Sequence, residues 1–352
     1  MNRPQEVNWD LTYACPLRCT HCYSESGRRP TRQLSRTDRE KVADALIALG
    51  PRAVQFSGGE PLLVKDVHML ARRFRDAGID VGLFTSGWLL ARELLDDILG
   101  AFFRVHVSLD GATAAVHDRI RGRTGSFDRA VHALGLLDEA ARRSEGAPVP
   151  FSIDCTLVRS NFDDMEALCR DVASRFPHLG FVSFGAAVPG GLANRESYVR
   201  HELLTDSQLD ELTGPDLRAR LTRLLPPAVS VQTFDGRALQ MHPDLVARGY
   251  ALSGLMQVEP DGRVRAMAMY EGTIGCLLDE PAETLWARAR DRVGSDFVVK
   301  TLAPVRTMPE WAAAARRIDL HYGSEADRAR IAARPPFDPG NQTRHTPPGN
   351  GE

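Results

Sequence analysis

Cys15-Pro16-Leu17-Arg18-Cys19-Thr20-His21-Cys22-Tyr23 is the stretch on which the reading of this chain turns. It places three thiols within eight residues, directly after a short strand-like run, Val7 to Thr12. Thiolates are soft ligands that favour iron–sulfur clusters or zinc. Three of them can wrap one face of a four-iron cube and leave one iron open to chemistry. A structural zinc site is the alternative, with His21 as fourth ligand. His21 adjoins Cys22, however, and neighbouring side chains diverge. No second Cys-x-x-Cys pair follows at finger spacing. Unpartnered buried cysteines are the third reading.

The rest of the chain sets the frame. It has 352 residues, 43% hydrophobic and 26% charged, which suits a globular protein with a sizeable core and excludes a fibre or a disordered chain. A net charge of −2 gives no global field toward nucleic acid or a membrane surface. No run of 18 apolar residues and no leader-like apolar segment is found, so no membrane partner and a cytoplasmic, reducing location are expected. The other cysteines, Cys155, Cys169 and Cys276, are too scattered for a disulfide framework.

Strand and helix signals then alternate. Strands are expected at Val7–Thr12, Ala53–Ser57, Ile79–Phe84, Phe103–Leu109, Phe151–Val158 and Phe181–Phe184. Between them fall helices that open at a Thr37/Glu40 capping pattern, at Asp66, Leu89, Phe127 and Phe162. About six such units imply a parallel sheet with helices outside. Six are too few for a closed eight-fold barrel. The fold class expected is α/β, a partial (β/α)6 TIM-like barrel, with chemistry at the C-terminal strand ends.

After Gly190-Gly191 the pattern changes. Asp206–Leu224 reads as one helix and Val229–Phe234 as a strand. Leu255–Glu259 and Arg263–Met267 flank Pro260-Asp261-Gly262 as a hairpin, and Glu283–Val293 follows as a helix. The division expected is residues 1–195 as the barrel, 196–325 as a smaller α+β unit and 334–352 as a disordered tail, too poor in large apolar residues to fold.

With these motifs in view, the chain resembles the radical S-adenosylmethionine (radical SAM) enzymes. Cys-x3-Cys-x2-Cys with an aromatic next resembles their cluster motif. Phe56-Ser57-Gly58-Gly59-Glu60-Pro61 resembles the family's Gly-Gly-Glu-Pro motif, and Leu83-Phe84-Thr85-Ser86-Gly87 its Thr-Asn-Gly turn with Ser86 in place of asparagine. Val107-Ser108-Leu109-Asp110-Gly111 resembles its Ser-Leu-Asp-Gly turn. His117 to Gly122, then Gly125-Ser126-Phe127, resemble the segment that follows in peptide-modifying members. The resemblance covers about residues 5 to 190.

It implies a [4Fe-4S] cluster on Cys15, Cys19 and Cys22, with S-adenosylmethionine chelating the open iron. Gly58 and Gly59 would let backbone approach the methionine moiety. Glu60 would accept from its ammonium. Ser86, Ser108 and Arg121 complete the expected cofactor-binding set, with Arg119 and Arg129 competing for the place of Arg121 and Asp110 expected to cap its turn. The family cleaves S-adenosylmethionine reductively and abstracts a substrate hydrogen through a 5′-deoxyadenosyl radical. An external electron donor such as flavodoxin or ferredoxin is implied.

From Met256 onward the chain resembles the SPASM/twitch extension of radical SAM maturases. Residues 258–264, 275–280 and 284–286 carry the likeness. The extension normally carries several cysteines for auxiliary clusters. Here Cys276 alone remains, so no auxiliary cluster is expected. Such an enzyme is expected either to return the electron by another route or to run a redox-neutral reaction; epimerisation, rearrangement or adenosyl transfer then stay open. Cys155 and Cys276 are candidate hydrogen donors, weighed against plain core packing; Cys169 reads as core. The substrate expected is a peptide or other natural-product precursor. The alternatives are a small-molecule or tetrapyrrole substrate, and a non-catalytic iron–sulfur or zinc module. No leader-recognition domain is read ahead of the trio, which weakens the peptide reading unless a separate leader-peptide recognition protein supplies that step.

Overall fold

The computed structural model describes residues 3–30, 33–249 and 254–339. Ten strands form one sheet. In chain order they are β1 (Glu6–Thr12), β2 (Ala53–Gly58), β3 (Asp80–Thr85), β4 (Arg104–Ser108), β5 (Phe151–Leu157), β6 (Phe181–Ala186), β7 (Ser230–Phe234), β8 (Leu255–Val258), β9 (Arg263–Arg265) and β10 (Thr273–Cys276). Their spatial order is β10-β9-β8-β1-β2-β3-β4-β5-β6-β7. The order is linear, so the sheet stays open between β7 and β10.

The six strands expected from sequence are present as a parallel set. Two more join them in parallel: β7 beside β6, and β8 beside β1. The hairpin at Pro260-Asp261-Gly262 turns β8 into antiparallel β9, with Val258 opposite Val264. The sheet therefore runs across the boundary expected at residue 195. β1 is a central strand only because β8 covers the edge it would otherwise expose.

Period-two patterning sets the two faces. Val7, Trp9, Val54, Phe56, Val81, Leu83, Val105 and Val107 are fully buried against the outer helices. Edge-to-face contacts join Trp9, Phe56, Phe74 and Phe102, with centroids 5.8–6.4 Å apart. The intervening residues face inward and are polar: Asn8 and Asp10, Gln55 and Ser57, His106 and Ser108, Ser152 and Asp154, Ser183, Gln257. His106 Nδ1 lies 2.8 Å from Asp154 Oδ2, and its ring stacks on Phe84. The lumen thus carries polar groups beside the apolar Phe84, Leu255 and Met269.

Several helices differ from expectation. α1 (Arg36–Leu49) is capped by Ser35, whose Oγ accepts from Asp38 N at 3.1 Å, and not by Thr37. α2 (Val67–Asp76), α3 (Arg92–Ala101) and α5 (Ser126–Arg143) fall near their expected places. α4 (Ala114–Arg121) is a helix that the sequence reading left as a motif. Residues 159–175 wind as a succession of 3-10, α and π turns, because Asn161 Nδ2 binds the Asp110 and Thr156 carbonyls and holds that strand end outside a regular helix. The helix expected over 206–224 breaks at Gly214-Pro215 into two. Helices at 296–302, 308–322 and 325–332 complete the chain, the last two opened by Thr307/Glu310 and Ser324/Asp327 capping boxes. No helix among the described residues is long and apolar enough to cross a membrane.

The expected tail begins too early. Residues 334–339 are packed: Arg334 Nη2 lies 2.7 Å from Glu25 Oε1, and Phe337 is buried edge-on to Tyr198. The remainder, 340–352, lies outside the described residues. Arg334 ends a buried ion-pair chain that ties the cysteine segment to the C-terminal helices. It runs from Arg29 to Glu259 (3.1 Å), from Glu259 to Arg265 (2.8 Å), from Arg265 to Glu271 (3.2 Å) and from Glu271 to Arg330 (2.9 Å). Asp319 supports it by accepting from Glu271 N at 2.8 Å. Burial, and then the Glu271 charge, push Asp319 up to about 7. Its folded value is above the unfolded one, so the neutral form stabilises the fold. That contribution is complete below about pH 4 and is lost as the pH rises through 7. The Asp319→Asn variant should therefore gain in Tm relative to wild type between about pH 5 and pH 8. Parallel thermal melts check this, and a constant Tm difference would refute it.

Candidate functional site

The three cysteines sit on a loop that has no regular structure of its own. Neighbouring backbone holds it. Arg18 N and Thr20 N donate to Arg121 O (3.0 Å) and Ile120 O (2.9 Å), which are orphan carbonyls at the end of α4. Gly122, at φ +66°, ends that helix with no room for a Cβ, since one would meet Arg18 O at 2.4 Å. Leu192 N donates to Cys22 O at 3.0 Å. A Cβ on Gly191, at φ +52°, would meet Tyr23 O at 2.2 Å.

The loop faces a cavity of about 500 Å³ at the C-terminal strand ends. Cys15, Cys19 and Cys22 all line it, with Gly58, Gly59, Ser86, Ser108 and Arg121. The sulfurs are met by donors: Leu17 N to Cys15 at 3.4 Å, Ser26 N to Cys22 at 3.3 Å and Arg121 Nη1 to Cys19 at 3.9 Å. Burial pushes the Cys19 thiol up to about 11 despite the Arg121 charge, and drives Cys15 up as well. A bound metal would hold both as thiolates.

The donor set fits a cluster better than a single ion. Among the described residues, no three His, Cys, Asp or Glu side chains converge on one metal position. The three sulfurs share a cavity wall without meeting at a point. His21 Nε2 lies 3.2 Å from Asp110 Oδ2, so that nitrogen is engaged with the carboxylate.

The other expected site residues divide. Of the three competing arginines, Arg121 alone reaches the cavity. Arg119 turns to Ser160 O, and Arg129 lies over Trp88. Arg121 is fixed by Asp110, with Nη2 2.8 Å from Oδ1 and Nε 2.6 Å from Oδ2. Asp110 is wholly buried and also accepts from Thr156 N at 2.8 Å. Burial alone would raise its pKa; Arg121, and then His21, hold it well below the carboxylate range. Asp110 is thus the counter-ion of Arg121, where a turn cap was expected.

Glu60 is buried behind the cavity wall. It accepts from Thr85 Oγ1 (2.8 Å), from Ser86 N (2.9 Å), from Ser86 Oγ and from Leu62 N (3.3 Å). These bonds join the ends of β2 and β3. Gly58 and Gly59 have a further reason to be glycine. A Cβ on Gly58 would meet Thr12 O at 2.5 Å, and one on Gly59 would meet Ala14 O at 2.1 Å. Their bareness admits the chain that carries Cys15.

Of the candidate hydrogen donors, Cys155 reaches the cavity wall, although it alternates with Ile153 and Leu157 on the helix-packed face and is 5% exposed. Cys276 does not reach it. Its thiol, on β10, donates to Asp261 O at 3.7 Å, so the structure removes it as a donor to the site. Cys169 is core. Sequence reasoning missed Gly122, Gly191 and the partnership of Asp110 with Arg121. The Gly190-Gly191 pair was a visible signal for Gly191; an ion pair across eleven residues left none.

Residues 9–172 match the radical SAM superfamily model, and this part of the chain is a radical SAM domain. Cys15, Cys19 and Cys22 fall within it. The chain is 34% identical over 166 residues to an AdoMet-dependent heme synthase of Methanosarcina barkeri, covering 47% of this chain and 46% of that one. It is 34% identical over 167 residues to the mycofactocin maturase MftC of Mycolicibacterium smegmatis, covering 47% and 41%. It therefore spans about half the length of the curated relatives it matches. In fold it is similar to Streptococcus suis SuiB. The SuiB structure with S-adenosylmethionine gives TM-score 0.64, 14% identity and coverage of 82% and 68%. The SuiB structure with its precursor peptide SuiA gives 0.62, 13%, 89% and 71%. S-adenosylmethionine and a [4Fe-4S] cluster are the cofactors of this family.

Backbone clash makes Gly191 the sharpest test of the loop. Gly191→Ala should lower Tm by several degrees and sharply reduce iron uptake on reconstitution, since its Cβ would meet main chain and its φ strains any side chain. Gly135→Ala, where a Cβ meets nothing within 4 Å, should retain both. Iron analysis and thermal melts decide; equal iron content in the two variants would refute the role given to Gly191.

Proposed function

We propose that this protein is a radical SAM enzyme that modifies a peptide or peptide-like natural-product precursor. The observation that carries the reading is the convergence of Cys15, Cys19 and Cys22 with Arg121 on one cavity at the strand ends of a radical SAM domain. Cys15, Cys19 and Cys22 would hold a [4Fe-4S] cluster, and Gly58, Gly59, Ser86, Ser108 and Arg121 would line the place of S-adenosylmethionine beside it. When bound, that pair supplies reductive cleavage to a 5′-deoxyadenosyl radical, which takes hydrogen from the substrate. Arg121 sets positive charge beside Cys19, and Asp110 fixes its orientation. Leu17 N and Ser26 N direct hydrogen bonds at two of the sulfurs, an interaction that tunes thiolate-bound clusters.

Two features support a peptide-like substrate. MftC and SuiB are similar to this chain in sequence or fold, and SuiB has been solved with its precursor peptide. The lumen below the cysteines is lined by carboxamide and hydroxyl groups, which suit amide-rich chains. A tetrapyrrole substrate is the second reading, favoured by the heme synthase relative. The peptide reading leads because two relatives, MftC and SuiB, point to it and because carboxamides lie within the cavity wall. The proposal includes an external one-electron donor, a separate leader-recognition protein, a reducing cytoplasmic setting and a redox-neutral net reaction without an auxiliary cluster.

Anaerobic reconstitution with iron and sulfide tests the core of the reading. The wild-type protein should take up about four irons, the content of one cubane, and form 5′-deoxyadenosine from S-adenosylmethionine under reduction. Cys19→Ala should do neither. Zinc in the wild-type protein, or no 5′-deoxyadenosine from the loaded protein, would sink it.

A further inference from the structure

The lumen contains a row of carboxamides that the cysteine site does not use. Gln257 on β8, Asn8 on β1 and Gln55 on β2 are register partners across three adjacent parallel strands. The outer two are therefore two strand spacings apart, about 10 Å between Cα atoms. All three line the cavity that the cysteines face. Gln55 precedes Gly58 by three residues, which puts the row about 10 Å deeper into the barrel than the strand ends.

Neighbours consume part of the row and leave the rest free. Asn8 Nδ2 donates to Gln257 Oε1 at 2.7 Å, and Asn8 Oδ1 accepts from Ser57 Oγ at 2.9 Å. Asn8 is thereby satisfied at both ends and fixes which way Gln257 faces. Gln257 is 1% exposed, yet its Nε2 has no partner. Gln55 Oε1 is likewise buried without a partner. Room for that oxygen comes from Gly82, the register partner of Gln55 on β3; a Cβ there would lie 1.9 Å from Gln55 Oε1. A buried amide donor or acceptor left unpaired is costly, so two in one row point to a ligand.

We propose that Gln257 and Gln55 form a clamp for amide groups of the substrate, in which Gln257 Nε2 donates to a substrate carbonyl and Gln55 Oε1 accepts from a substrate N–H. The clamp rests on the peptide reading above and gives it a recognition site: backbone amide, independent of side chain. Asn8 and Ser57 are positioning residues that hold the Gln257 amide in register. Specificity for side chains then falls to the remaining walls, where Met269 and Leu239 are apolar and Asp154 is acidic.

The test uses the reconstituted protein with S-adenosylmethionine and two matched probes, N-acetyl-alanine N-methylamide and N-acetyl-alanine methyl ester. The ester keeps the carbonyls and lacks the second N–H. Ligand-observed NMR titration of the wild-type protein should show the amide bound about tenfold more tightly, because the ester strands Gln55 Oε1. That comparison needs no variant to fold. Gln55→Leu should erase the preference, and Gln257→Leu should weaken both probes about tenfold. Equal binding of the two probes by wild type, or binding of neither, overturns the clamp. Loss of S-adenosylmethionine affinity in either variant also overturns it, since the row would then hold that ligand's adenine. If wild type forms no 5′-deoxyadenosine yet keeps the amide preference, the clamp stands and the proposed reaction falls.

Discussion

The structure depends on main chain meeting main chain around a loop that cannot hold itself. Residues 13–29 carry three thiols and no ladder of internal hydrogen bonds. Order is imposed from outside, at the carbonyl end of α4, at the ends of β1 and β2, and at the segment that follows β6. At each contact a glycine removes the side chain that would intervene: Gly122, Gly59 and Gly191. Each places its Cα where a Cβ would come within 2.1–2.4 Å of a backbone oxygen, far inside contact distance. The sulfurs are positioned by packing of backbone and not by their own rotamers, so they can be presented together before any metal binds. Preorganisation of this kind lowers the ordering cost that binding would otherwise carry.

Charge is used in the same way. The Asp110–Arg121 pair is buried, and burial of two ions is expensive unless the geometry is close and the remaining lone pairs are used. Both conditions are met, since Asp110 also accepts from Thr156 N and faces His21. The arrangement adds little to stability for its cost; what it gains is a cation fixed beside Cys19. The chain of pairs from Arg29 through Glu259, Arg265 and Glu271 to Arg330 reaches the opposite side of the loop. One sheet, continuous from β10 to β7, anchors both networks, which is why the C-terminal third behaves as part of the barrel.

Much of this was legible in the sequence, and the reasons for the exceptions are physical. The alternation of strand and helix signals located six parallel strands, because buried parallel strands and capped amphipathic helices leave strong local patterns. β7 and β8 were visible as strands, but their places in the sheet were not, since pairing across 49 positions (Phe181 with Ser230) or 249 (Asn8 with Gln257) has no local signature. The Cys-x3-Cys-x2-Cys spacing and the glycine turns identified the loop and the strand ends. The tie that Glu60 makes between β2 and β3 was not legible, because a motif carboxylate reads the same whether it faces a ligand or joins two strands. The place of Cys276 on β10 was hidden for a similar reason, as sequence distance from the loop says nothing of spatial distance. The packed stretch from Arg334 to Phe337 was hidden by its Pro-rich composition, although Arg334 and Phe337 were the two residues there able to pay for order.

The inward face shows what the barrel is built to enclose. A parallel strand covered on both sides usually carries apolar residues on both. Here the outward positions follow that rule and the inward ones break it, from Asn8 and Gln55 to Ser152, Ser183 and Gln257. A barrel whose interior merely completed a core would fill it with branched aliphatic side chains. Polar side chains in a lumen sacrifice that packing, and those left unpaired carry a further cost. The sheet's open order gives the lumen an entrance between β7 and β10. Thiols and an arginine line the strand ends, with carboxamides and the Glu6 carboxylate below. The carboxamides below the strand ends offer hydrogen bonds to uncharged donors and acceptors, a use that packing alone would not require.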